Sequence, residues 1–192
     1  MPGSPCRRPS EGNPVPGLKK DNMDITAKTG DDGYTDILNG KRLRKDHPII
    51  ECLGTLDELN AFLGDAKTAL DAATHGASGV YISGIITGIQ KDLSSIMGVI
   101  AGTPVPEGGI DEARLNNLIQ EMESALPPFS SFVVPGANPA SAKLHIARAV
   151  CRRAERRLTA LNMENEAAAR YINRLSDLLF LLARKASFTK EE

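Results

Sequence analysis

Two groups of residues in this chain have the types and spacing to do chemistry. The first is Lys28-Thr29-Gly30-Asp31-Asp32-Gly33-Tyr34-Thr35, which combines two glycines, a lysine and the hydroxyls of Thr29 and Thr35. Such a segment can offer backbone N–H donors and one cation to phosphate oxygens. It lacks the Gly-x4-Gly-Lys-Ser/Thr spacing of a P-loop, and by composition alone an ordinary surface turn uses the same residues. The second group is helical. At 100° per residue His145, Arg148, Arg152 and Arg156 fall in one stripe with Glu155 at its edge. A solvated charged face is the common outcome of such a run, but guanidinium groups suit bidentate recognition of phosphate. Farther on, Asn173 and Asp177 share a face at i, i+4, opposite a leucine-rich one.

Several chemistries lack their residues. Only His47, His75 and His145 are present, with neither HExxH nor the ExxH pairs of a di-iron bundle, so His145 reads as a structural or hydrogen-bonding residue. No Gly-x-Ser-x-Gly elbow occurs and no cysteine is matched with a histidine, which argues against covalent catalysis by the protein. Cys6, Cys52 and Cys151 have no CxxC spacing and are odd in number, a usage that speaks against zinc and a closed disulfide framework and fits a reducing, cytoplasmic compartment. Lys plus Arg is 23 and Asp plus Glu 24, a formal net charge of -1, so no global attraction to nucleic acid or to an anionic membrane is expected. The longest clear apolar run, Leu178 to Ala183, is far short of a membrane span and a soluble protein is expected.

The elements that must position these groups follow from apolar spacing. Steps of three and four run through Cys52, Leu56, Leu59, Leu63, Ala66 and Leu70, then through Ile82, Ile86, Ile89, Leu93, Ile96 and Ile100. A weaker stripe is Leu115, Leu118, Met122 and Ala125. A fourth is Leu144, Ala147, Cys151, Ala154, Leu158 and Leu161, preceded by Asn138 and Pro139 as N-cap and first-turn residue. The fifth is Ile172, Leu175, Leu179, Leu182 and Ala186. Gly/Pro-rich breaks at 102–109 and 127–139 separate them, and strand-like alternation appears only near Phe132 to Val134. The expected fold is all-α, a five-helix up-down bundle in one domain over 23–192. Residues 24–45 form a polar, glycine-bearing segment before the first helix, where ligand-holding loops commonly sit. Residues 1–22 carry five of the twelve prolines and few apolar side chains, and read as a flexible leader. Arg7 and Arg8 hint at targeting, but no apolar segment follows and Glu11 is unlike a transit peptide.

Four blocks in order, AKTGDDGYT at 27–35, GTLDELNAFLG at 54–64, LHIARAVCRRAERR at 144–157 and YINRLSDLLFLLAR at 171–184, closely resemble the propanediol-utilisation type of ATP:cob(I)alamin adenosyltransferase. The resemblance implies a ferritin-like five-helix bundle that forms a homotrimer, with active sites between neighbouring subunits. The activity it implies is transfer of the 5′-deoxyadenosyl group of ATP to the cobalt of a reduced corrinoid, giving adenosylcobalamin and triphosphate, with Mg²⁺ on the ATP phosphates.

Carried over residue by residue, the resemblance makes 23–46 the ATP-binding loop. Ala27, Lys28, Thr29, Gly30, Thr35, Asp36 and Lys45 become nucleotide contacts, joined by Arg152, Arg153, Glu155, Arg156 and Asn173. Arg148 matches an arginine that pairs across the interface with the aspartate at Asp57, and Phe132 matches the aromatic beneath the corrin ring. Two departures stand out: the family usually has a hydroxyl-bearing residue at Ala27 and a second glycine at Ala137, after Pro135-Gly136. Such an enzyme calls for a reductase that supplies Co(I) and an adenosylcobalamin-dependent enzyme that takes the product. The residues alone leave two other readings open, a helical module that docks nucleic acid on its arginine face and a corrinoid or nucleotide chaperone without turnover.

Overall fold

The computed structural model describes residues 30–72, 76–128, 131–161 and 166–188. The leader and the expected contacts Ala27, Lys28 and Thr29 lie outside the described residues. A short antiparallel hairpin, β1 (Tyr34–Asp36) and β2 (Arg42–Arg44), precedes five helices: α1 (Pro48–Ala72), α2 (Gly76–Ile100), α3 (Glu112–Ala125), α4 (Pro139–Ala160) and α5 (Glu166–Ser187). The expected all-α bundle is therefore present, with the hairpin added at one end.

Each apolar stripe lies inward. Cys52, Leu56, Leu59, Leu63, Ala66 and Leu70 of α1 are buried, as are the six isoleucine and leucine positions of α2 and the five stripe residues of α5. At roughly 1.5–3 kcal/mol for each fully buried large aliphatic side chain, this core is the main stabilising term. α4 packs against both α1 and α5, and α3 lies on α5. Along the α1–α4 seam Lys143 pairs with Asp65, Arg153 with Glu58 and Arg157 with Glu51, an order that requires the two helices to run antiparallel.

Helix ends are set locally. Pro48 occupies the first turn of α1, where its missing N–H costs nothing, and the His47 ring accepts from the Ile49 N–H at 3.2 Å. Gly102, at φ +100°, ends α2 in the left-handed region. The Asn138 side chain caps α4 by accepting from Ser141 N–H at 2.8 Å and donates to the Ala186 carbonyl at 2.8 Å, tying the start of α4 to the end of α5.

Three local expectations fail for identifiable reasons. Ala125 is exposed and Leu126 is buried in its place, because Leu126 leaves α3 in an extended conformation, the geometry a following proline favours. Residues 132–134 form no strand; the strands are at 34–36 and 42–44, too short for their alternation to stand out in sequence. The hairpin is seated by Asn39, whose N–H donates to Ala101 O at 3.3 Å and whose side chain lies where a Cβ on Gly102 would meet it at 2.5–2.8 Å. His145, assigned to the polar stripe, is buried because α4 is covered by neighbours on two sides.

A polar tie crosses the core. The Tyr171 hydroxyl on α5 donates to Asp92 Oδ2 on α2 at 2.6 Å, and Arg114 of α3 pairs with the same oxygen. Arg114 lies against Gly88, where a Cβ would approach its guanidinium to 2.5 Å.

Among the described residues no helix is long and apolar enough to cross a membrane.

Candidate active site

The turn that leads into β1 is shaped around Lys45. Gly33 adopts φ +84°, donates to Gly30 O at 3.3 Å and accepts from Lys45 N–H at 2.9 Å. A Cβ on Gly30 would meet Lys45 Nζ at 3.1 Å, so the ammonium lies directly over that glycine. Thr35 and Asp36, from β1, line an open cleft of about 390 Å³ together with Gly54 and Asp57 of α1. Gly30, Thr35, Asp36, Lys45 and Asp57 are thus gathered at the end of the bundle where α1 begins and α2 finishes.

A second group lies on α4 and α5. Asn173 Nδ2 donates to Glu155 Oε1 at 2.8 Å, and both border a cleft of about 340 Å³ with Arg170 and Arg174. Arg148 and Arg152 line a larger cleft of about 560 Å³, walled by Leu126, Pro127, Phe180 and Leu181 and bordered by Arg174, Asp177 and Arg184. Arg156 Nη1 donates to its own helix at Arg152 O, 2.9 Å away. Arg153, by contrast, points to the α1 side, where it pairs with Glu58.

Arginine pairing separates the two populations. Arg42, Arg44, Arg114, Arg153, Arg157, Arg170 and Arg174 each have a carboxylate partner. Among the described residues Arg148, Arg152 and Arg156 have none within 4 Å, and the Nε of Arg148 is buried without a hydrogen-bond partner. A guanidinium kept free of carboxylates is available to an external anion.

His145 and Phe132 complete the picture. His145 is 5% exposed with neither ring nitrogen bonded, its ring edge-on to Phe180 at 6.1 Å. Burial, and then the neighbouring Arg148 charge, push its pKa below the usual 6.5. The unfolded chain therefore binds the proton first, so His145 costs stability as pH falls below about 6.5. Between pH 7.5 and 5.5 the melting temperature is expected to drop more for the wild type than for His145→Gln; equal drops would show that His145 does not report acidification. Phe132 is 98% exposed and Val134 82%, an apolar pair on the loop before α4.

The loop of Phe132 and the hairpin sit at opposite ends of one chain. Arg184 donates to Pro127 O at 2.8 Å and Asn138 holds Ala186, which fixes the loop at the end of α5. The hairpin adjoins the far end of α4, and a helix of that length spans about 33 Å. Asp57 and Arg148 also line different clefts. Sequence reasoning did not single out Arg174 and Arg184 of the larger cleft, because isolated arginines on α5 are indistinguishable from surface charge until α3 and α4 close around them.

Among the described residues no thiol is poised to react: burial pushes Cys52 to about 11 and Cys151 to about 12.

Comparison with known proteins bears on the whole of this region. The sequence model of the cobalamin adenosyltransferase family matches residues 25–186. The chain is 38% identical over 172 residues to the corrinoid adenosyltransferase PduO of Citrobacter freundii, covering 84% of this chain and 49% of the relative, so it spans about half the length of that protein. It is 34% identical over 193 residues to the corrinoid adenosyltransferase MMAB of Bos taurus, covering 92% of this chain and 75% of the relative. Among solved structures, a phenylalanine-to-alanine variant of the PduO-type ATP:corrinoid adenosyltransferase from Lactobacillus reuteri, complexed with cobalamin and ATP, superposes with a TM-score of 0.76 at 29% identity, covering 86% of this chain and 94% of that one. A family match over most of the chain, two curated relatives above 30% identity and a shared bundle agree: the chain belongs to the cobalamin adenosyltransferase family.

Proposed function

We propose that the chain transfers the 5′-deoxyadenosyl group of ATP to the cobalt of a reduced corrinoid and releases triphosphate. The observation that carries this reading is the set of arginines without carboxylate partners among the described residues, Arg148, Arg152 and Arg156, on the helix face whose sequence resembles the family's nucleotide block. The substrate supplies the nucleophile: the electron pair of Co(I) forms the bond to the 5′ carbon as the carbon–oxygen bond breaks, and that bond's pair departs on triphosphate. The protein positions the two substrates and stabilises charge on the leaving group. Lys28, Lys45, Arg152 and Arg156 take that role, with Thr29, Gly30, Thr35, Asp36 and the backbone of Ala27 shaping the 23–46 loop around the nucleotide. Glu155, fixed by Asn173, orients the nucleoside, and Arg153 supports the same helix through Glu58. Mg²⁺ would be carried on the ATP phosphates, where it would offset part of their charge.

The assembly is a homotrimer with sites between subunits. The separation of the hairpin from the Phe132 loop, and of Asp57 from Arg148, supports a site completed by two chains, with Arg148 of one pairing with Asp57 of the next. Among the described residues no carboxylate pairs with Arg148, which leaves its guanidinium charge to such a partner. A cytoplasmic reductase and an adenosylcobalamin-dependent enzyme are the partners this chemistry requires.

Phe132 sits beneath the corrin, where an apolar ring excludes a lower axial ligand and leaves a four-coordinate Co(II) that is easier to reduce. Phe132→Ala is expected to slow turnover starting from Co(II) by roughly tenfold or more while ATP affinity stays near wild type. Parallel loss of nucleotide affinity and corrinoid turnover would remove this role. The deciding experiment for the activity is anaerobic spectrophotometry with chemically reduced cobalamin and Mg-ATP. Protein-dependent loss of the Co(I) band with appearance of a light-sensitive product supports the transferase; binding without product makes the protein a carrier.

A further inference from the structure

The turn that would embrace a triphosphate is itself acidic: Asp31, Asp32 and Asp36 lie within six residues. Uncompensated carboxylates beside a polyanion repel it, and the hairpin that presents them has strands of only three residues, too short to hold a shape unaided. One side chain answers both problems. Arg42, opposite Asp36 in the hairpin register, donates through Nη2 to Asp32 Oδ2 at 2.7 Å and through Nη1 to Asp36 Oδ2 at 3.4 Å. Its guanidinium also lies 5.9 Å from the centroid of the Tyr34 ring. Asp32 uses its other oxygen to accept from Tyr34 N–H at 3.1 Å, so the carboxylate that Arg42 grips is the one that closes the turn.

We propose that Arg42 is a positioning residue for the nucleotide site: it holds the turn before β1 in shape through Asp32 and cancels the Asp32 and Asp36 charges so that a triphosphate can approach that turn. This rests on the transferase reading above and adds to it a residue outside the contacts assigned there. The pairs are solvent-exposed, with the Arg42 side chain 41% and the aspartates 57% and 58% accessible, so they contribute little to global stability. Their effect falls on the conformation and field of one loop. A lysine could grip one carboxylate but not fork across two.

The test compares wild type, Arg42→Ala, Arg42→Lys and Arg42→Ala/Asp32→Asn, measuring ATP dependence at saturating reduced cobalamin, equilibrium binding of ATP, and thermal melting. Arg42→Ala is expected to raise KM for ATP about tenfold with kcat within about twofold and the melting temperature unchanged. Removing the stranded charge in the double variant should recover KM to within about threefold of wild type, and Arg42→Lys should fall between. An unchanged KM in Arg42→Ala overturns the proposal, as does a double variant no better than the single, which would mean that Arg42 touches the nucleotide itself. A fall in melting temperature with kcat and KM both impaired would make Arg42 merely structural. Wild-type protein that binds no ATP overturns the transferase reading and this one with it; wild-type turnover with an unaffected Arg42→Ala overturns this one alone.

Discussion

Arg152→Ala should lower kcat/KM for ATP by roughly 100-fold, the scale of removing one preorganised donor from a developing anion. Arg152 is exposed on α4, borders the cleft lined by Arg148 and Phe180, and among the described residues has no carboxylate within 4 Å. Its charge is therefore not already spent within the chain. The loss should appear with a melting temperature close to wild type, because an exposed unpaired guanidinium does little for folding. Steady-state kinetics with ATP varied at saturating reduced cobalamin, alongside a thermal melt, separates the two effects. Wild-type kinetics would remove Arg152 from the site, and a collapse in stability would make it a structural residue.

The second large effect concerns folding. Asp92→Ala should destabilise the bundle by about 2 kcal/mol, because it strips the acceptor from Tyr171 and from Arg114 together. Tyr171 is fully buried, and burial together with the Asp92 bond holds its phenol protonated far above the usual range. Its hydroxyl would be left without the partner it has, while half-exposed Arg114 could turn to water, which keeps the cost below that of a wholly buried pair. For a domain of this size the expected fall in melting temperature is about 4–8 °C. Denaturant or thermal unfolding checks it. A variant as stable as wild type would mean that water replaces Asp92 at no cost, and that α2, α3 and α5 are joined by apolar packing alone.

The two effects are independent in kind. Arg152 faces outward from α4, and Asp92 joins three helices from within. Loss of the first should leave a folded protein with a weak hold on ATP; loss of the second should leave the site chemistry intact in whatever fraction stays folded.

The sequence by itself determined the five helices, since a 3.6-residue apolar rhythm survives in any bundle that buries one face. Cys52 to Leu70, Ile82 to Ile100 and Ile172 to Ala186 are inward wherever that rhythm put them. It determined the cap at Asn138, because capping depends on residues three apart, and the family, because four motif blocks stand in order. Tertiary structure decided the rest. The β1–β2 hairpin depends on Asn39 docking on Ala101 and Gly102, more than sixty residues away, and no local pattern carries that contact. His145 shares a stripe with three arginines but is buried because both α1 and α5 press on α4. Only packing distinguished Arg153, spent on Glu58, from Arg152, which has no carboxylate partner among the described residues, though they are neighbours in the chain. A charge reads the same in sequence whether or not a partner faces it, and the partner is supplied by another helix.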